Sequence, residues 1–288
     1  MSQLLRNRSR DAAFLCYHSI HPSGPRWLSV SPSQFDRQLD CLRRKGWHSG
    51  SEADLQAMAQ GEATSRRTAF LTFDDGFADN FTTALPILQE HGFSAMFFVL
   101  PTHLDNGAPF EWPEVAEDRG QYPDVMRSLT WAQVETMAEA GMAFGSHGIA
   151  HNSLPKLSDE ELCQELLDSR RRIEERLDRC TMLAYPFGHW DARVAAAADA
   201  AGYSCAFTVP RSYQERVDPL SIPRIPVDYR DDARRFALKV RPAVRRIYLS
   251  RGKAILRPNS LAGWFAPLGE LFPAPAMAET LGHGAIPL

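Results

Sequence analysis

The chain has 288 residues, 44% hydrophobic and 23% charged, with a formal net charge of -3. This length and balance exclude wholesale disorder and fibrous classes, and they suffice to bury the core of one large α/β domain. The near-neutral charge excludes the global basic field that non-specific nucleic-acid binding needs, so no nucleic-acid partner is expected.

The N-terminal stretch MSQLLRNRSRDAAF is basic but lacks the apolar core of about 7–15 residues that a secretory leader needs. No apolar run reaches the roughly 18 residues of a membrane span, so no transmembrane segment is expected. A cytoplasmic location is the expectation, with peripheral membrane association as the alternative. Cys16, Cys41, Cys163, Cys180 and Cys205 are odd in number, widely spaced and without a C-x-x-C pair, which predicts reduced thiols.

Residues 13–17 (AFLCY) form a short apolar run ending at His18 and predict a buried strand. Ser33 to Arg44 predicts a helix, with Phe35, Leu39 and Leu42 at helical spacing. Residues 68–73 (TAFLTF) predict a second strand, leading into Asp74, Asp75 and Gly76. A helix is predicted from Asn80 to His91, stopped by Gly92, and a strand over 95–100. Residues 103–129, rich in Pro and charge, read as an insert at a strand end, a substrate-facing loop.

A strand over 142–144 precedes GSHGIAH. Ser158 with Glu161 predicts a capping box for a long helix to about Arg179. Residues 182–185 predict a strand running into AYPFG, Asp191 opens an alanine-rich helix ending near Gly202, and 204–209 predict another strand. The basic stretch from Arg224 to Lys253 reads as a solvated helix face in preference to a membrane-surface patch. After about Pro258 the composition shifts, so residues 1–258 are taken as the domain and 259–288 as a Pro/Gly/Ala-rich tail packing partly through Trp264 and Phe265. Strands alternating with helices predict a mostly parallel sheet, either a barrel or an open sheet.

Two adjacent carboxylates disfavour each other's ionisation, and DDG alone is ordinary turn chemistry. GSHGIAH changes the balance, since His147 and His151 are four residues apart after a strand. If the segment is helical, both imidazoles share a face and converge on one metal ion. A divalent cation offsets the repulsion when one aspartate ligates it and the other stays ionised as a base. Two His and one carboxylate leave open positions, which suits activation of water and hydrolysis.

The order TFDDG, SHxxxH, then a strand ending YPFG resembles the polysaccharide deacetylases of carbohydrate esterase family 4, the NodB-homology domain, over roughly residues 12–228. The resemblance implies a distorted (β/α) barrel of about seven parallel strands, here a single domain with a C-terminal extension. It implies Asp74 as general base and Asp75, His147 and His151 as ligands of one divalent metal ion, zinc first, with cobalt, nickel or iron as alternatives. In AYPFG the N–H of Phe187 would help hold the oxyanion, and Tyr185, Pro186 and Trp190 would contact substrate. Trp112 and Trp131 are further candidates for sugar stacking.

This sequence departs from the family pattern at three points. Ala184 replaces the Arg that orients the base, and Arg224 is the substitute expected. Gly148 stands where a Ser or Thr often follows the first metal histidine. No Leu-x-His strand supplies a general acid, so His18 is expected to serve, ahead of His103 and His189, with His283 last. The implied activity is removal of N-acetyl groups from an acetylated carbohydrate, with exopolysaccharide biosynthesis as the setting. The alternatives are an O-acetyl esterase, a non-sugar amidase, or an inactive glycan-binding homologue.

Overall fold

Short apolar runs separated by amphipathic helices can bury both faces of every strand only if helices cover the outside of a parallel sheet. The computed structural model describes residues 5–6, 12–60, 62, 66–209 and 216–245, and there the chain takes this solution. Its main sheet comprises β1 (Ala12–Tyr17), β2 (Trp47–Ser49), β3 (Arg67–Phe73), β4 (Met96–Val99), β5 (Ala143–Ser146), β6 (Met182–Ala184), β7 (Cys205–Thr208), β8 (Ile222–Pro223) and β9 (Ile225–Pro226). All pairings within it are parallel, in the order β8-β7-β6-β5-β4-β3-β1-β9, with β2 attached to β3.

The sheet closes through one short segment. Only Arg224 separates β8 from β9, yet β8 pairs with β7 and β9 with β1, so Ile222–Pro226 bridges the two sheet edges. The Arg224 N–H donates to the Thr208 carbonyl and the Val227 N–H to that of Cys16, at 2.9 and 2.8 Å. Read as one interrupted strand, this bridge joins β1, β3, β4, β5, β6 and β7 as the wall of a distorted (β/α) barrel, the architecture expected. The distortion lies at β3, where Arg67–Ala69 pair with β2 while Thr72–Phe73 pair with β4.

Period-two alternation divides the core. Ala12, Phe70, Met96, Phe98, Met182, Ala184, Cys205, Phe207 and Ile222 form the cluster inside the wall. Leu15, Tyr17, Leu71, Phe73, Phe97 and Val99 face outward onto the helices. The described helices are α1 (Pro32–Arg44), α2 (Glu52–Ala59), α3 (Leu85–His91), α4 (Ala116–Gln121), α5 (Trp131–Glu139), α6 (Asp159–Leu177), α7 (Ala192–Ala200) and α8 (Ala233–Lys239). The expected capping box at Ser158 and Glu161 is present, and Phe35, Leu39 and Leu42 are the buried face of α1.

Several expectations need revision. The predicted helix from Asn80 opens as a wide π-helical turn, Asn80–Ala84, before α3 begins. Pro86 has no N–H to continue an α-helical ladder backwards, which accounts for the break. β2, α2 and α5 lie outside the sequence prediction.

The insert is no open loop but a packed cap. It carries α4 and is pinned by antiparallel bridges Phe77–Ser128 and Pro109–Arg127. Leu28, Phe77, Leu100, Phe110, Trp112, Val115, Val125 and Met126 give it a core of its own. The tail 259–288, with Trp264, Phe265 and His283, lies outside the described residues. Among the described residues no helix is long and apolar enough to cross a membrane, and none of the five cysteines forms a disulfide.

Candidate active site

Inward alternation along β3 continues through Phe70 and Thr72 to Asp74, whose N–H still donates to the Tyr17 carbonyl at 3.0 Å. The chain then turns through left-handed Asp75 (φ 68) and Gly76 (φ 72). A Cβ at residue 76 would meet Val99 at 3.0 Å on a backbone that L side chains rarely adopt, so glycine is required. The turn gives the two carboxylates different partners, which relieves their mutual repulsion.

Asp74 meets Arg224, which the barrel-closing segment delivers to the interior. The two guanidinium nitrogens reach the two carboxylate oxygens at 2.6 Å each, and one also donates to Thr72 Oγ1 at 3.0 Å. Phe98 and Phe207 flank the guanidinium, each with its ring centroid at 5.6 Å. Both charges are buried, Arg224 at 1% exposure and Asp74 at 5%. Burial opposes ionisation of Asp74, but Arg224, with His147 and His18, outweighs it and holds this carboxyl well below the usual carboxylate range. Arg224 thus occupies the position expected of it, reached from another strand than the one carrying Ala184. Cys16 Sγ adds a contact to Asp74 Oδ2 at 3.5 Å.

His147 lies just past β5, its N–H donating to the Val99 carbonyl at 2.9 Å. Its Nδ1 donates to the Ala184 carbonyl at 2.7 Å, which leaves the Nε2 lone pair available. The helical condition on that convergence is not met: the segment from His147 to His151 is a loop turning through left-handed Gly148 (φ 84) and His151 (φ 56). The imidazoles nonetheless converge, because Glu165 on α6 clamps the loop. Its Oε1 accepts the N–H groups of Ile149 and Ala150 at 2.8 and 3.1 Å.

The Nε2 atoms of His147 and His151 stand 3.3 and 3.4 Å from Asp75 Oδ1. The edges of a tetrahedron with bonds of about 2.0–2.1 Å measure about 3.3–3.4 Å. Asp75 Oδ1 is buried and has no hydrogen-bond partner among the described residues, as expected of an atom aimed at a cation. The donor set therefore fits a divalent ion. Burial raises the Asp75 carboxyl, but the two adjacent imidazoles, His147 first and then His151, outweigh it and leave the group below its ordinary value. Burial presses His151 down to about 3, so its imidazole is neutral as a ligand must be. For His147, burial is outweighed by the two aspartates and the group is raised.

A ring nitrogen of His18 lies within 4.8 Å of ligand atoms of Asp74 and Cys16, at the same barrel mouth. Burial lowers its pKa despite the nearby aspartates. Asn80 holds this strand end by donating to the His18 carbonyl at 2.8 Å, and neighbouring Asp79 accepts from Ser19 Oγ at 2.6 Å and the Ile20 N–H at 3.0 Å. Phe187 occupies a left-handed turn (φ 58, ψ 8), with its ring centroid 4.4 Å from that of His151. Asp75, His151 and Phe187 are thus three of the four described non-glycine residues with positive φ, backbone strain gathered at one place.

Other expected contacts take different positions. Tyr185 is fully buried in the layer under the helices and donates its hydroxyl to the Leu220 carbonyl at 2.8 Å, so it packs and cannot stack on a sugar ring. Pro186 is buried as well, while Trp190 is half-buried and stacks on Tyr185 at 6.2 Å. Trp131 donates to Asp105 at 3.0 Å and packs within the outer core. Trp112 covers His151 with its ring centroid at 4.3 Å, so its face is given to a histidine and not to a sugar.

His103 lies 6.0 Å from Trp112, and His189 is hydrogen-bonded to Ser153 at 3.0 Å. Sequence reasoning missed Cys16, Thr72, the Ala184 carbonyl and Glu165. Alternation from Asp74 and along β1 could have found the first two. Nothing in the sequence marks Glu165.

The polysaccharide deacetylase family model matches residues 61–206. YxkH of Bacillus subtilis, named for polysaccharide deacetylation, is 26% identical over 196 residues, covering 67% of this chain and 63% of YxkH. The poly-beta-1,6-N-acetyl-D-glucosamine N-deacetylase of Escherichia coli K12 is 24% identical over 262 residues, 78% of this chain and 38% of that protein. The chain thus spans less than two thirds of the length of these relatives. Among solved structures, Streptococcus pyogenes deacetylase PplD in complex with acetate shares the fold, with a TM-score of 0.67 at 24% identity over 80% of this chain and 98% of that one. With its barrel, its acidic pair and its two histidines in order, the chain belongs to the polysaccharide deacetylase family, the NodB-homology or carbohydrate esterase family 4 group.

Proposed function

We propose that the protein is a divalent-metal-dependent hydrolase that removes N-acetyl groups from an N-acetylated amino sugar within a glycan or glycan intermediate. One observation carries this reading: the buried group Asp75, His147 and His151, with its unpartnered carboxylate oxygen, adjoining the Asp74–Arg224 pair. The substrate class is supported by family membership and by the named activity of the Escherichia coli relative.

Asp75, His147 and His151 would hold the ion. Bound there, a divalent cation supplies Lewis acidity, polarising an acyl carbonyl and lowering the pKa of water. Asp74, ionised throughout the neutral range, accepts a proton from the attacking water while Arg224 fixes the plane of its carboxylate. The Phe187 N–H is assigned to the developing oxyanion, where one such donor is worth about 10²–10³ in rate. His18 is assigned to protonate the departing amine. Its nearness to Asp74 lets the proton taken from water be returned to the leaving group.

The test measures bound metal and acetate release from β-1,6-linked N-acetylglucosamine oligomers. Acetate release that is abolished by chelation and cut about 10²–10⁴-fold by Asp74→Asn is the expected result. Full activity in Asp74→Asn would refute the base assignment. A metal-loaded protein inert on every acetylated sugar would favour a glycan-binding role, and release from O-acetylated sugars alone would indicate an esterase.

A further inference from the structure

Histidines that ligate a metal usually donate their second ring nitrogen to a carbonyl or carboxylate, which fixes the ring. His147 follows this rule through Ala184, but His151 does not. Its Nδ1 is buried and has no partner among the described residues. Gly148 offers no hydroxyl in this loop, and Glu165 clamps backbone N–H groups of the loop, leaving the imidazole itself untouched. Rotation about the side-chain bonds of His151 must be restrained by something else.

Aromatic faces enclose the ring instead. Trp112 lies nearly parallel to it, with centroids 4.3 Å apart at 27°, and Phe187 meets it edge-on at 4.4 Å and 62°. Trp112 is itself held by Phe110 at 4.8 Å, and Phe110 by Phe77 at 4.9 Å. A continuous column of rings therefore runs from the cap core through His151 to the left-handed turn at Phe187. Both flanking contacts, at 4.3 and 4.4 Å, sit just under the 4.5–7 Å range of favourable aromatic pairs, so the imidazole is closely enclosed.

We propose that Trp112 is a positioning residue for His151: the cap, through its ring column, orients this metal ligand by stacking where its partner His147 is oriented by a hydrogen bond. This inference rests on the metal-site reading above. The face of Trp112 covers the imidazole from one side, so the column also slows exchange of the ion with solvent.

The test uses the full chain with Co²⁺ as the probe, reading affinity by chelator competition, release rate by chelator chase, and quenching of tryptophan fluorescence. Trp112→Ala is expected to weaken Co²⁺ binding about 10–100-fold and to speed release, as losses of ligand-orienting partners do. Trp112→Phe keeps a flat ring and is expected to retain most of the affinity while losing the quenched component of the emission. Trp112→Leu fills the volume without a ring face, so it is expected to bind more weakly than Trp112→Phe; this pair serves if Trp112→Ala does not fold.

Equal affinities and release rates for Trp112→Phe and Trp112→Leu would overturn the proposal. His147→Ala separates the two ways of failing. If it loses Co²⁺ while the Trp112 variants bind like the wild type, only the positioning role is wrong. If it binds Co²⁺ as tightly as the wild type, the ligand set is wrong and the role of Trp112 falls with it.

Discussion

Replacing Arg224 by methionine tests the reasoning about the barrel interior. The side chain that replaces the guanidinium has similar length and no charge, and it enters a site walled by Phe98 and Phe207. Asp74 then remains 5% exposed, without the two 2.6 Å bonds that balanced its desolvation. Removing one partner of a buried ion pair in this way costs about 3–5 kcal/mol. At the ~2–4 °C per kcal/mol typical of domains this size, the melting temperature should fall by roughly 6–20 °C.

The double variant Asp74→Asn/Arg224→Met removes both charges, so it should regain roughly 2–3 kcal/mol relative to the sum of the single losses. Urea unfolding of the four proteins of this cycle, at one pH near neutrality and with metal chelated, measures these quantities. Arg224→Met within 1 kcal/mol of the wild type, or four values that add, would refute the account of Arg224 as the necessary counter-charge of Asp74. Arg224→Lys retains the charge but not the planar fork, so it should recover part of the stability and little of the acetate release.

Two further predictions concern groups around the site. Glu165→Ala deprives Ile149 and Ala150 of their acceptor, so stability should fall by about 1–3 kcal/mol and metal affinity about tenfold, read by urea unfolding and chelator competition. Undiminished metal binding would show that the His loop holds its shape unaided. Burial raises Asp79 to about 6 in the folded protein, above its ordinary value in the unfolded chain. Between those two values the folded state binds more protons, so the Asp79 contribution to stability is present at low pH and is lost as pH rises toward 6. Asp79→Asn should remove a fall of about 3 kcal/mol between pH 4 and 7, and parallel wild-type and variant curves would contradict this.

The sequence displayed the wall of the barrel well because each strand is a short apolar run bounded by a turn former. It displayed the group of Asp75, His147 and His151 for a partly wrong reason. His147 and His151 were paired by helical spacing, whereas the loop brings them together through left-handed Gly148 and His151 and a carboxylate from α6. Conformations of that kind are set by tertiary partners and leave no periodicity to read.

Tyr185 failed as a substrate contact for a similar reason: its position in the strand-end motif suggested the mouth, but its burial is decided by the helices above it. Arg224 was legible as a charge near a strand end. Its role in joining two sheet edges was not, since two dipeptide strands that hydrogen-bond to opposite edges look like one proline-spaced strand in sequence.

That seam makes completion of the sheet and neutralisation of the acidic interior a single event. A nascent chain cannot bridge the β7 and β1 edges until Ile222–Pro226 has emerged, and the same five residues bring the only cation ion-paired with Asp74 among the described residues. Any product truncated before Ile222 would expose two unpaired edges around an Asp74 that lacks its arginine.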